Sequence, residues 1–205
     1  MSIVKRFSLF TMILFTVAAC AGKPQPANVE NICSIFKQYP KWYWATQDVQ
    51  KRWGVPINVQ MAIIYQESRF SAKAKPPRGK LLGIIPWKRP SSAKGYSQAL
   101  KGTWDEYQES AGKNRATRSA FADAADFVGW YGYQANQRAG ISRSDAYPLY
   151  LAYHEGIGGY QRRSYANKTW LINIAQKVQS RAATYQRQLQ GCQAKLKKKP
   201  WYRFW

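Results

Sequence analysis

Acidic residues and histidine are scarce in this sequence of 205 residues. Ten Asp and Glu stand against 32 Lys and Arg, and His154 is the only histidine, beside three cysteines. This set contains no His/Cys cluster that would bind a metal, so we expect neither a metal nor another cofactor. The formal net charge of +22 predicts an anionic partner: a nucleic acid, a membrane surface or a cell-wall polymer with free carboxylates.

Long hydrophobic runs are also missing. The apolar segment at residues 7–17 is shorter than the roughly 20 residues that a transmembrane helix needs. It follows Lys5 and Arg6 and leads into small residues, which is the pattern of a cleaved signal peptide. We therefore expect residues 1–19 to direct export, and we expect no nucleic acid as a partner.

Cys20 follows this cleavage site. A cleavage site that ends in cysteine resembles the lipobox of bacterial lipoproteins, which implies that Cys20 carries a lipid and begins the mature chain. In lipoproteins of Gram-negative type, the absence of Asp at the next position, here Ala21, implies the outer membrane. The resemblance thus predicts an anchor on its periplasmic face. The alternative is an ordinary signal peptide with an incidental cysteine.

The rest of the chain divides into three parts. A Pro-containing tether spans residues 20–28, one domain spans 29–192, and a tail follows at 193–205. From Lys195 to Trp205 the tail is rich in Lys and aromatic residues, which is typical of a segment that binds a membrane interface. A solvated tail and binding to anionic peptidoglycan stems are the alternatives.

Cys33 and Cys192 lie near the two ends of the predicted domain. An exported chain with two such thiols favours a disulfide between them. Two buried free thiols are the alternative.

Helical periodicity dominates the domain, and no segment alternates as a strand would, so we predict an all-α fold. Pro56 starts a helix that runs to about Ser68, and Pro148 starts a short one through His154. A long amphipathic helix covers about 167–190 and should end at Gly191. The Pro-, Gly- and Lys-rich stretch between Ser71 and Ser97 is predicted to be irregular or to hold a small β element.

Glu67 lies in the last turn of the Pro56 helix, at the border of an apolar face that includes Gln60 and Ile63. Partial desolvation and the negative end of the helix dipole should raise its pKa, whereas Arg69 should lower it. Two interpretations follow: an acid that is protonated near neutral pH, or a carboxylate paired with one of the many cations.

Three short segments resemble a known family. Residues 67–70 (ESRF) are similar to the E-S-x-F motif of lytic transglycosylases of the soluble lytic transglycosylase (SLT), lysozyme-like superfamily. Residues 95–98 (GYSQ) resemble its G-L-M-Q segment, and residues 152–156 (AYHEG), followed by Gly158, resemble its A-Y-N-A-G-x-G segment. The three occur in the order of the family, and the resemblance covers roughly residues 56–160.

The resemblance implies a reaction and a role for each matching residue. Glu67 would protonate the oxygen between N-acetylmuramic acid and N-acetylglucosamine in peptidoglycan, and would then take the proton of the muramoyl C6 hydroxyl to close a 1,6-anhydro ring. Ser68 would orient the acid or the substrate acetamido group. Gln98 would bind sugar substituents, and Tyr153 would hydrogen-bond near Glu67.

Three departures from the family pattern bear on the chemistry. Ser97 replaces a Met and offers the sugar a hydroxyl. His154 replaces an Asn and would either bind sugar or be a hydrogen-bonded structural residue.

Glu155 replaces an Ala and leaves two alternatives. It either holds a water, so that a muramidase would hydrolyse the bond with Glu67 and Glu155, or forms an ion pair with Arg162 or Arg163. Outside enzymes, the alternatives are a non-catalytic peptidoglycan-binding lipoprotein and an exported basic protein that binds nucleic acid or assembles with secretion machinery.

Overall fold

The computed structural model describes residues 24–78, 80–81, 85–86 and 91–196. Within these ranges one antiparallel ribbon pairs β1 (Lys80–Leu81) with β2 (Ile85–Pro86). The same ranges form eight helices: α1 (Ile32–Gln38), α2 (Pro40–Trp53), α3 (Ile57–Ser68), α4 (Lys101–Ser110), α5 (Phe121–Ala139), α6 (Ala146–Glu155), α7 (Ile157–Gln161) and α8 (Thr169–Leu196). The predicted all-α class is confirmed, and the ribbon lies in the stretch predicted to be irregular or to hold a small β element.

Several predictions concern residues outside these ranges. The signal peptide, Cys20 and residues 197–205 of the tail are not among the described residues. Among the helices that are described, none combines the length and the apolar character needed to cross a membrane.

Helix α3 lies at the centre of the fold, where it contacts α2, α5, α6 and α8. Its apolar side chains are buried on all sides, and Met61 and Ile64 are fully so. A helix that is apolar all round belongs in the interior of a domain. The buried Gln60 amide donates to the carbonyl of Thr46 in α2 at 3.1 Å. This contact helps to fix α3, and with it the position of Glu67 in the last turn.

A disulfide joins the two ends of the domain. Cys33 in α1 bonds to Cys192 in the last turns of α8, with their Cα atoms 6.1 Å apart, so the predicted pairing is present. The amide of Gln188 accepts from the backbone N–H of Ile32 and donates to the carbonyl of Glu30, both at 3.0 Å. Closing a loop of this length stabilises the fold by about 4–5 kcal/mol in the chain-entropy model.

Part of the predicted tether packs against the domain. Pro26 is buried, and the Tyr39 hydroxyl donates to the carbonyl of Pro24 at 2.6 Å. The Gln25 amide donates to the carbonyl of Arg69 at 2.9 Å, which places this segment against the turn that follows α3. Only the residues before Pro24 can therefore act as a spacer.

Two predicted helix boundaries are wrong. Helix α8 continues through Gly191 to Leu196, and the disulfide at its end holds these last turns against α1. Helix α6 starts at Ala146 rather than at Pro148, because the Asp145 side chain accepts a backbone N–H and caps the helix.

Residues 91–100, which we call the wall segment, lie between α3 and α4 in the chain and are tied down at several points. The Arg118 guanidinium donates to the carbonyls of Ser92 and Ala99 at 2.7 and 2.9 Å, and the Gly95 N–H donates to the carbonyl of Ala74 at 2.9 Å. Gly95 has a φ of +75°, and a Cβ there would lie 1.8 Å from the carbonyl oxygen of Arg118. Only glycine fits this position.

Gly95→Ala is therefore expected to lower the free energy of unfolding by about 2–4 kcal/mol, because both the left-handed backbone and the clash are unfavourable. Urea denaturation measures this change. Gly102→Ala is the matched control, since Gly102 lies in α4 with nothing within 4 Å of an added Cβ; there alanine should be neutral or stabilise by about 0.5–1 kcal/mol. Equal destabilisation by the two substitutions would contradict the tight packing of Gly95.

Candidate active site

A concavity of about 470 Å³ opens beside the end of α3, and we call it the cleft. Its lining comes from α3, the wall segment, α4, α5 and the end of α6. Two aromatic side chains of α5, Phe127 and Tyr131, form part of it. The cleft brings together five of the predicted site residues: Glu67, Gln98, Tyr153, His154 and Glu155.

The backbone is strained directly after Glu67. Arg69 and Phe70 have φ angles of +49° and +62°, in the left-handed region that residues other than glycine rarely adopt. Phe70 is fully buried, and its ring centroid lies 5.7 Å from that of Trp42. This burial holds the turn in place and so fixes the end of the helix that carries Glu67. Backbone strain of this kind clusters at functional sites.

Burial raises the pKa of Glu67 to about 7, and hydrogen bonding from the Tyr150 hydroxyl offsets part of the rise. Desolvation is the cause that the helix position predicts. Arg69, expected to lower this pKa, does not act on it, so that expectation is wrong. A carboxyl group with a pKa near 7 is about half protonated at neutral pH, and it can donate a proton and later accept one.

Two tyrosines of α6 surround this carboxyl group. The Tyr153 hydroxyl donates to the carbonyl of Ser97 at 2.6 Å, which joins α6 to the wall segment. Tyr150 lies one turn earlier on α6, and its hydroxyl acts on Glu67 as a hydrogen-bond donor that lowers the pKa of this carboxyl group. Burial, and then the charge of Glu67, raises the pKa of both tyrosines, so both act as neutral donors. Sequence reasoning missed Tyr150, although its i−3 spacing from Tyr153 places the two on one helix face.

Gln98 has its donor atoms already in use. It has a φ of +48°, and its side-chain NH₂ donates to the carbonyls of Ala74 and Gly95 at 3.0 and 2.7 Å. These bonds hold the wall segment in shape. The side-chain carbonyl oxygen is the atom of Gln98 that remains for a ligand in the cleft.

Two predicted site residues do not line the cleft. Ser97 is fully buried, its hydroxyl has no partner among the described residues, and it does not belong to the lining of the cleft. Its predicted sugar contact stays a prediction. Ser68 is 9% exposed, and its hydroxyl donates to the carbonyl of Ile64 in its own helix at 3.1 Å. This bond differs from the predicted orienting contact with the acid.

Glu155 is held in an ion pair, although its predicted partners were wrong. Its side chain is only 6% exposed, and both carboxylate oxygens accept from the Lys168 ammonium at 2.8 Å, rather than from Arg162 or Arg163. The Ser164 hydroxyl donates to it as well. The hydrogen bonds from Lys168 and Ser164 lower the pKa of Glu155 to about 2. Glu155 therefore stays ionised and is a weak base.

His154 lies next to this network at the surface. Its Nδ1 is 3.1 Å from a carboxylate oxygen of Glu155, and its ring meets the ring of Trp170 edge-to-face, with centroids 5.2 Å apart. Trp170 is 53% exposed, and sequence reasoning did not single it out. Within the described part of the chain, no group of three or more His, Cys, Asp or Glu side chains is placed to hold a metal ion.

The family model of the Transglycosylase SLT domain matches residues 8–192. The match spans most of the chain, so the protein belongs to this family of lysozyme-like domains. Membership supports, at the level of the family, a lytic activity on peptidoglycan. Neither the comparison with curated proteins nor that with solved structures finds a match.

The raised pKa of Glu67 predicts a pH-dependent difference in stability between the native protein and Glu67→Gln. The native state binds more protons than the unfolded state between pH 4.5 and about 7, so the stability that Glu67 contributes in acid is lost as the pH rises through this window. Glu67→Gln removes this loss and keeps an acceptor for Tyr150.

We expect Glu67→Gln to have the same free energy of unfolding as the native protein near pH 4. At pH 8 its free energy of unfolding should be about 2–3 kcal/mol higher than that of the native protein. Urea denaturation at several pH values measures the difference. Glu109→Gln, at an exposed position on α4 without an ion pair in the described part, is the control and should show no such trend. A pH-independent difference for Glu67→Gln would contradict the raised pKa.

Proposed function

We propose that this protein is a peptidoglycan lytic transglycosylase that cleaves the β-1,4 bond from N-acetylmuramic acid to N-acetylglucosamine and forms 1,6-anhydro-N-acetylmuramic acid. Glu67 is the sole acid and base. The observation that carries the proposal is the pairing of a Glu67 pKa near 7 with a cleft in which the other carboxylate, Glu155, is bound to Lys168.

The reaction needs one group that gives a proton and takes one back. Protonated Glu67 gives its proton to the glycosidic oxygen, the bond from this oxygen to the muramoyl C1 breaks, and the N-acetylglucosamine hydroxyl leaves. The Glu67 carboxylate then takes the proton of the muramoyl C6 hydroxyl, and O6 bonds to C1. No water is consumed. The substrate acetamido group at C2 can stabilise the cationic centre.

The state of Glu155 favours this route over hydrolysis. An inverting hydrolase needs a second carboxylate that takes a proton from water. The efficiency of a general base falls as its pKa falls below the working pH, and the pKa of Glu155 is about 2. Its oxygens already accept from Lys168 and Ser164. We therefore assign Glu155 to the support of the cleft, where it also positions His154.

The side chains around Glu67 have separate roles in this proposal. Tyr150 orients the carboxyl group by its hydrogen bond, and Tyr153 holds the wall segment against α6. The carbonyl oxygen of Gln98 accepts a hydrogen bond from a sugar N–H or hydroxyl. His154 lies at the edge of the cleft and contacts the glycan there.

Product analysis tests this assignment. On purified peptidoglycan, the native protein should release fragments with anhydromuramic ends, which are one water lighter than reducing ends in mass spectrometry. Glu67→Gln should lower the rate by about 10²–10⁴-fold, since this is the contribution of general acid–base catalysis.

Glu155→Gln is the matched substitution in the same cleft. It should keep the anhydro product and lower the rate far less than Glu67→Gln does, because it removes a supporting ion pair and not the acid. Products with reducing ends would favour a muramidase. Full activity of Glu67→Gln would show that Glu67 is not the acid. Binding to the wall without cleavage would favour a binding module.

We also propose that the protein is anchored by a lipid on Cys20 to the periplasmic face of the outer membrane. The pattern of residues 1–20 supports export and lipidation. The Cys33–Cys192 disulfide supports an oxidising compartment such as the periplasm.

Cys20→Ser should abolish the incorporation of labelled fatty acid and move the protein from the membrane fraction to the soluble fraction. Cell fractionation with metabolic labelling measures both. The Cys33→Ser/Cys192→Ser variant keeps Cys20 and is the control, which should still be labelled. Unchanged labelling of Cys20→Ser would contradict the anchor.

A further inference from the structure

A second and larger concavity, of about 910 Å³, also borders the wall segment. Its base is aromatic and consists of Trp42, Tyr96 and Phe121. Four lysines line it: Lys41, Lys73, Lys75 and Lys94. We call this concavity the lysine groove. The proposed reaction uses none of these side chains.

The charge of the lysine groove is unbalanced. None of its four ammonium groups has an ion-pair partner among the described residues, and no acidic side chain in that part of the chain lines the groove. Asp48, Asp123 and Asp126 lie in an adjoining concavity that shares Lys41, but none of the three pairs with this lysine. Like charges that share one concavity repel each other, so the groove fits a ligand with several negative charges.

The base of the groove is rigid and apolar. Trp42 and Phe121 stack with ring centroids 3.9 Å apart and planes at 4°, and Tyr96 meets both rings edge-on at 5.6 and 5.5 Å. All three are at least 95% buried. Little of each ring is exposed, and the small side chains of Ala45, Ala72 and Ala120 complete the apolar lining. Such a lining suits small apolar groups such as alanine methyls. The ligand should therefore combine carboxylates with short apolar side chains.

The wall segment separates the lysine groove from the cleft. Ala93 and Gln98 line the cleft, whereas Lys94 and Tyr96, between them in the chain, line the groove. One short segment thus has the cleft on one side and a cationic groove on the other.

We propose that the lysine groove binds the carboxylate-bearing peptide stem of a peptidoglycan strand whose sugars occupy the cleft. The inference rests on the proposed function, because it takes peptidoglycan as the ligand of the cleft. The lysines pair with the free carboxylates of the stem, and the aromatic base contacts its alanine side chains. The protein therefore prefers strands that keep their stems over strands that have lost them.

The shape of the site favours a stem over a membrane surface. An anionic bilayer would also attract the four lysines, but a flat surface cannot reach the aromatic base of a concave groove. An extended peptide can enter it and contact both the base and the lysines.

The test compares two small ligands. One is the disaccharide GlcNAc–MurNAc with its peptide stem, and the other is the same disaccharide without the stem. Neither contains the MurNAc–GlcNAc bond that the protein is proposed to cleave, so calorimetry on the native protein measures affinity independently of catalysis. We expect the stem-bearing ligand to bind more tightly, with a preference that shrinks as salt is added.

Lys73→Gln/Lys75→Gln should reduce this preference by about 3- to 10-fold, as the loss of two partly exposed ion pairs implies. Lys37→Gln/Lys51→Gln removes the same charge from exposed positions outside the groove and the cleft, and should leave the preference unchanged. Thermal unfolding of both variants checks that they are folded.

Two outcomes would overturn the inference. Equal preferences in the two double variants would show that the groove does not contact the stem. A loss of binding to phosphatidylglycerol vesicles in Lys73→Gln/Lys75→Gln, with the stem preference unchanged, would assign the groove to a membrane. A failure of the proposed function would be seen in a different experiment, as undiminished cleavage by Glu67→Gln. The affinities of the two ligands could still be compared in that case, because they are measured without cleavage.

Discussion

The site depends on the desolvation of one carboxyl group. Most side chains of helix α3 are buried, and its last turn carries Glu67 to a place where burial penalises a charge. The packing of the surrounding helices and the buried Phe70 hold the turn at this place. The same packing that stabilises the fold therefore raises the pKa of this carboxyl group and makes its ionised form unfavourable.

The wall segment is the second element on which the site relies. It is held from one side by Arg118 and from the other by the Tyr153 hydroxyl, while Gln98 ties it internally. Gln98 and Tyr153 also line the cleft, whereas Arg118 supports the segment from outside it. A change in any of them would alter the shape of the cleft and the adjoining lysine groove together.

Local patterns predicted the helix that carries Glu67, the cause of its raised pKa and the cysteine pairing, because each depends on neighbours in the chain or on the compartment. Contacts between residues that are brought together only by tertiary packing could not be predicted from such patterns. Lys168 is 13 residues from Glu155, and Arg162 and Arg163 are closer in the chain, so the sequence favoured the wrong cation. The burial of Ser97 was equally hidden, since it follows from the way in which the wall segment folds back on α6.

The docking of the tether sets how far the domain can stand from a membrane. Because residues 24–27 are bound to the body of the protein, and Gln25 to the turn behind Glu67, a lipid on Cys20 would be joined to the domain by a link of at most about 14 Å. The protein would then have a short radius of action. Apart from the dimensions of the domain itself, this short link would limit how far from the bilayer the protein could reach.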